Sequence, residues 1–204
     1  MDTPLYNPPH FREDRPEVLH AAIREHAFAT LVAEGPDGLI ANHLPFLLDE
    51  TRGVLRGHVA RANPVWKEAR TEREALAIFQ GPHAYITPSW YATKAATGKV
   101  VPTWNYLAVH VRGNLEFFDD ADRLRALVTD LTNAHEAGRA APWAVADAPS
   151  GYIDTQLRAI VGVELAITRI EGKWKMSQNR DAADREGVRA GLKAENSPVA
   201  DHIP

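Results

Sequence analysis

The feature that most constrains this chain is the spacing of its turn residues. Its 14 prolines and 13 glycines are spread along 204 residues rather than pooled in one linker, and short runs with strand character stand between them. Phe28–Ala33 is apolar and ends at Gly35-Pro36-Asp37-Gly38, a turn sequence. Leu39–Leu48 follows, then Val54–Val59 across Asp49-Glu50-Thr51-Arg52-Gly53, then Ala75–Gln80, closed by Gly81-Pro82. Thr103–Val111 and, beyond Gly113, Asn114–Phe118 resume the alternation. In Ile160–Ile170, Val161, Val163, Leu165 and Ile167 point one way and Gly162, Glu164 and Thr168 the other. A doubly wound parallel sheet needs a helix between successive strands, and most of these runs lack one. The pattern predicts an α+β chain, mainly β: an antiparallel barrel of about six to seven strands with peripheral helices.

The helices are few. Asp14 can cap one that carries Pro16 in its first turn and Val18, Leu19, Ala22 and Ile23 on one face. Asn63-Pro64 is an N-cap followed by proline at the first helical position, opening a short helix to about Arg70. Asp120 to about His135 carries the stripe Leu124, Leu127, Val128 and Leu131. A weaker helix runs from Pro149 to Leu157, and an amphipathic one from about Asp181 to Leu192. Residues 1–13 read as an extended arm, and 83–102 as a long ordered loop with room for a strand at Ala84–Ile86. Residues 1–196 read as a single domain, with 197–204 as a frayed tail.

Composition closes off several functions. There is no cysteine, which excludes disulfides, thiolate metal sites, iron–sulfur clusters and a cysteine nucleophile. With 23 basic against 27 acidic residues the net charge is −4, so no basic field exists for wrapping nucleic acid. Any DNA contact would come from local clusters, Arg61–Lys67–Arg70 or Lys173–Lys175–Arg180, and would be weak and salt-dependent. The first residues have neither a basic nor an apolar leader region, and no apolar run approaches the ~18 residues of a membrane span. The cytoplasm is the expected compartment, with no membrane partner.

Several clusters could carry chemistry. In Arg56-Gly-His58-Val-Ala-Arg61-Ala-Asn63-Pro64 a strand runs into an arginine and a helix start, which together suit a phosphate monoester. A plain helix cap beside a surface arginine is the other reading. Phe79-Gln80-Gly-Pro-His83-Ala-Tyr85-Ile-Thr-Pro-Ser89-Trp90-Tyr91, with Lys94 and Lys99 after it, interleaves aromatics, hydroxyls and cations that could wall a flat heterocycle. These aromatics could equally pack onto the barrel. Trp104, Tyr106 and His110 share a strand face, and at least one is expected in the barrel core. A hairpin turning near Thr51 would place His43 opposite His58 to within a residue of register. No H-x-H or H-E-x-x-H spacing supports a metal, so none is assigned to these histidines or to His83 and His110.

Five blocks carry a resemblance: Ala41-Asn-His-Leu-Pro-Phe46, Arg56 to Pro64, Phe79 to Tyr91, Val101-Pro-Thr-Trp-Asn-Tyr106 and Lys173-Trp-Lys-Met-Ser-Gln-Asn179. In this order they resemble the PaiB-type family of FMN-binding negative transcriptional regulators. The resemblance implies an antiparallel split β-barrel, shared with pyridoxamine-phosphate oxidases and flavin reductases. It also implies a homodimer with flavin at the subunit interface, and repression of sporulation and degradative-enzyme genes. By position, Arg61 and Asn63 fall where the phosphate is held, and the His58–Ala60 backbone falls along the flavin edge. Trp174, Lys175 and Gln178 fall on a C-terminal segment that reaches the flavin across the dimer. The implied cofactor-binding set is Arg56, His58, Arg61, Asn63, Gln80, Trp90, Lys99, Trp104, Trp174 and Gln178, with no catalytic residue assigned. A flavin- or haem-dependent oxidoreductase is the alternative, and a barrel that has lost its cofactor a third reading.

Overall fold

A computed structural model of the chain describes residues 5–149 and 151–204. Its elements run β1 (Arg12–Glu13), α1 (Pro16–Glu25), β2 (Phe28–Gly35), β3 (Gly38–Pro45), β4 (Leu47–Asp49), β5 (Val54–Ala60), α2 (Val65–Glu68) and β6 (Glu74–Ile86). Then follow α3 (Ala92–Thr97), β7 (Thr103–Phe118), α4 (Ala121–Glu136), α5 (Tyr152–Leu157), β8 (Ile160–Lys175) and α6 (Ala182–Ala194). The strands hydrogen-bond in the order β3-β2-β6-β7-β8-β5-β4, with β1 on β8. The chain divides into two compact units. A barrel unit holds Ile23–Phe79 and Val111–Ile170; a terminal unit holds the residues up to Ala22, Gln80–His110 and Glu171–Pro204.

In the barrel unit, β3 and β4 stand at opposite ends of the strand order, yet Phe46 alone separates them in the chain. The order is open, and this seam makes the barrel a split one. The expected single strand Leu39–Leu48 breaks here because Phe46 leaves the edge. Its N–H donates to the Ala27 carbonyl at 2.9 Å, and its buried ring packs 6.3 Å from that of Phe79. Beyond it the chain changes partners, from β2 to β5, where Leu47 faces Arg56. At the seam only a glycine fits position 57, since a Cβ there would stand 2.8 Å from the Pro45 carbonyl oxygen. The expected His43–His58 pair does not form. Carried on, the β4–β5 register would bring Pro45 opposite His58, whereas His43 faces Thr30 of β2.

A second apolar layer covers the barrel unit. The stripe read on Asp120–His135 is the buried face of α4, with Leu124, Leu127 and Leu131 packed against Phe118 and against Leu157 of α5. The Asp120 carboxylate caps the helix by accepting the Arg123 N–H at 2.9 Å.

Several boundaries move. β6 runs through Gly81-Pro82 to Ile86 because its ladder with β2 ends at Ile78, so the missing proline N–H costs that ladder nothing. The two runs about Gly113 form one strand, β7. On β7 the buried side is Asn105, Leu107, Val109 and Val111, not the expected Trp104–Tyr106–His110 face; Trp104 is 54% exposed. The stretch 83–102 carries the end of β6, a 3-10 turn at Pro88–Trp90 and α3. Residues 197–204 do not fray. Asn196 takes a left-handed turn (φ 54°), the Ser197 N–H returns to the Leu192 carbonyl, and Val199, Ala200 and Ile203 are buried.

In the terminal unit α6 lies on the Pro88–Trp90 turn through two glycines. A Cβ at Gly187 would collide with the Trp90 carbonyl oxygen, and one at Gly191 with the indole. Alanine is normally worth ~1 kcal/mol over glycine inside a helix, whereas overpacking costs ~1–3 kcal/mol. A backbone oxygen cannot swing aside, so packing wins. Gly187→Ala is expected to lower the melting temperature by roughly 2–6 °C. Calorimetry showing a rise would mean that α6 does not rest on this turn.

Candidate functional site

The four site residues expected on β5 and its exit all lie in the barrel unit. Arg56 and His58 project from the same face of β5, opposite Glu164 and Gly162 of β8. Arg56 Nη2 donates to Asp130 of α4 at 2.8 Å, and its Nε is buried without a hydrogen-bond partner. Gly162 has no room for a side chain because the Phe118 ring covers it. Across from it the His58 Nδ1 is also buried and unpartnered, and burial pushes the imidazole below the usual histidine value. Beyond β5, Asn63 joins two of the sequence blocks. Its amide donates to Asn42 Oδ1 at 2.6 Å, and its own oxygen accepts the Val65 N–H at 3.0 Å. Asn63 thus braces the turn into α2, a helix of four residues whose N-cap is Pro64 rather than the expected Asn63.

Arg61 works mainly as a staple. Its Nε and Nη2 donate to the carbonyls of Arg158 and Ile160, at 2.7 and 3.1 Å, fixing the α5–β8 junction. Its Nη1 makes only a 3.4 Å contact to Asp119. Arg61 also borders a cavity of about 380 Å³ with Arg158, Asp119, Asp154 and leucines of α4 and α5. Two arginines and two carboxylates leave that cavity without net charge.

The other six fall in the terminal unit and do not form one cluster. Gln80 is exposed, 3.4 Å from His83 Nδ1, and the Lys99 side chain is exposed. Trp104 packs against His83 and Tyr85, with ring centroids about 6 Å apart. Trp90 lies against the glycines of α6. Trp174 and Gln178 belong to one tight turn: Gln178 Nε2 donates to the Trp174 carbonyl at 2.5 Å, and its Oε1 accepts the Met176 N–H at 2.7 Å. The same turn presents groups that no single motif revealed. Asn105 Nδ2 donates to Ser177 Oγ at 2.9 Å, and Lys175 Nζ to Thr103 Oγ1 at 2.5 Å. Tyr91 and Arg180 complete this cluster, with the guanidinium carbon 4.5 Å from the ring centroid. The available signal was the pairing of Val101–Tyr106 with Lys173–Asn179, which meet here although some 70 residues apart in the chain.

Among the described residues no helix is long and apolar enough to cross a membrane, and no group of three or more histidines and carboxylates is placed to hold a metal. A family model described as "Putative FMN-binding domain" matches residues 5–169. Protease synthase and sporulation protein PAI 2 of Bacillus subtilis is 32% identical, over 96% of this chain and 93% of its own. Two solved structures share the fold, each with a TM-score of 0.62. One is the flavocytochrome Anf3 of Azotobacter vinelandii, 13% identical, with 86% of this chain and 75% of that one covered. The other is an FAD and haem binding protein of Mycobacterium smegmatis, 16% identical, with 88% and 80% covered.

The burial of His58 has a pH signature. The unfolded chain protonates this imidazole near pH 6.5, whereas the folded protein does so only at lower pH. Between those values the unfolded state binds more protons. Stability is therefore full above about pH 6.5 and falls as pH drops through the folded value. His58→Gln is expected to flatten that acid-side loss. Denaturation midpoints of both proteins between pH 7.5 and 5 measure it, and parallel profiles would show that the ring is solvated.

Proposed function

The chain belongs to the FMN-binding domain family, and on that footing we propose that it is a flavin mononucleotide-binding protein whose β5 and following turn hold part of the cofactor. The observation that carries this reading is the buried, unpartnered His58 Nδ1 on the face of β5 that also carries Arg56 Nε, which makes no hydrogen bond and only a 3.8 Å ion-pair contact to Asp49. A buried polar group left unsatisfied costs ~1–3 kcal/mol, so one on a strand face is persuasive evidence of a missing polar partner. The donors fit a flavin. Arg61 retains one lightly engaged N–H beyond β5 for a phosphate, and Trp66 stands within 6.0 Å of it as an apolar wall. A bound flavin would supply electron-transfer chemistry. The protein's own residues would anchor the phosphate, orient the ring and keep water from the His58 face.

We further propose that two copies pair to complete the site, and that the protein is a regulator like the relative named for sporulation. Binding flavin, rather than reading DNA, would be its main molecular act. Four arginines of the barrel unit support this, because carboxylates already neutralise them: Arg52 by Glu164, Arg56 by Asp130, Arg70 by Glu34, Arg123 by Glu116.

The absorbance spectrum of the purified protein, followed by titration with FMN and riboflavin, tests the reading. FMN should bind more tightly than riboflavin. A charge-assisted phosphate contact is worth ~1.5–3 kcal/mol, so Arg61→Ala should weaken FMN by roughly ten- to a hundredfold. Riboflavin should weaken far less, through loosening of the Arg158–Ile160 staple alone. Equal losses would remove Arg61 from the phosphate site, and no binding of either flavin would overturn the proposal.

A further inference from the structure

The terminal unit contains a cavity of about 170 Å³ bordered by Phe11, Tyr91 and the segment from Lys175 to Arg180. Two cations line it and no carboxylate does, in a chain whose net charge is −4. Neither cation has an acidic partner among the described residues. Lys175 Nζ donates to the Thr103 hydroxyl and the Trp104 carbonyl, which engage two of an ammonium's three donors. Arg180 lies over the Tyr91 ring. The acidic residues that follow Arg180 are engaged elsewhere. Asp181 accepts the Asp184 N–H at 2.8 Å, and Asp184 the Thr93 N–H at 2.9 Å.

Two further observations point to a ligand. Tyr91 is 3% exposed and borders the cavity, and its buried hydroxyl accepts no well-formed hydrogen bond and has the Arg180 guanidinium as its polar neighbour. Ser177, another lining residue, is held in the left-handed region at φ 65° by the Asn105 amide. A non-glycine residue persists there only where its surroundings enforce it, and such positions gather at binding sites. We propose that this cavity binds a small organic oxyanion, a compact carboxylate or phosphate whose charged end meets Lys175, Arg180 and the Tyr91 hydroxyl and whose apolar body rests on Phe11. Burial, reinforced by Lys173 and Arg180, holds the Lys175 ammonium below the usual lysine value, a strain that a bound anion relieves.

The site uses none of Arg56, His58, Arg61 and Asn63, so it stands whether or not the β5 reading does. Its oxyanion has two sources, a free small acid or the phosphate of a flavin. Calorimetric titration of the full chain with benzoate and with inorganic phosphate, at ionic strength fixed with chloride, tests it. Saturable binding is expected for at least one probe. Arg180→Gln and Lys175→Gln should each weaken it tenfold or more, and Tyr91→Phe severalfold, while Lys193→Gln on the exposed side of α6 leaves it unchanged. Circular dichroism establishes that each variant folds. Absence of saturable binding, or binding indifferent to Arg180→Gln, overturns the proposal. Repeating the titration with FMN present assigns the source. Competition, together with loss of FMN affinity in Arg180→Gln, identifies the flavin phosphate; unchanged binding identifies a free acid.

Discussion

The antiparallel ladder between β5 and β8 is the constraint on which the barrel unit depends. It pairs seven residues, from Val54 with Ala166 to Ala60 with Ile160, and so fixes which side chains share a face. One face carries Leu55 with Leu165 and Val59 with Val161 into the core, all nearly or fully buried. The other carries Arg56 beside Glu164 and His58 beside Gly162. A slip of one residue would exchange the two faces, sending charges inward and leucines outward. Glu164 tightens the arrangement as a nearly buried carboxylate gripped by Arg52 at 2.8 and 2.9 Å and approached by Arg123 at 3.4 Å. Arg123 in turn covers the Phe118 ring, and that ring fills the space left by Gly162. The unusual environment of His58 follows from this chain of contacts.

Buried cations of the terminal unit are held in a way that the arginines of the barrel unit are not. Many arginines of the barrel unit pair with carboxylates, and Arg61 adds two backbone carbonyls, so these groups act as fasteners. The terminal unit buries Lys173, whose Nζ donates to the Tyr6 carbonyl at 2.6 Å and lies within 6 Å of the Tyr6 and Tyr106 rings. Aromatic faces and carbonyl oxygens stabilise a cation without neutralising it. Lys175 and Arg180 are treated the same way, and the local field around their cavity stays positive.

Particular residues show how far the sequence could be read. Asp120 and Asp181 cap the helices that their positions announced, because a cap depends on neighbours three residues away. Asn63 braces the entry to α2 by a bond two residues along the chain, one position before the N-cap, whereas its bond to Asn42 depends on where β3 ends relative to β5. Along β7 the alternation defines two faces without saying which is covered, and the covered one is that of Asn105, Leu107, Val109 and Val111. Trp90 read as a wall for a ligand, and the glycines that receive it lie about a hundred residues later on α6.

By itself the sequence determined the elements whose physics is local: the antiparallel class, the turns at glycine and proline, the capped helices and the absence of cysteine chemistry. Resemblance of its ordered blocks added the family and the split barrel. Only the tertiary structure decided the break at Phe46, the register that parts His43 from His58, the docking of the C-terminal residues and the meeting of Asn105 with Ser177. Each of these rests on contacts between segments far apart in the chain. Their energies come from burial and from hydrogen bonds that exist only once those segments meet, and no local pattern of residues encodes which distant partner will be there.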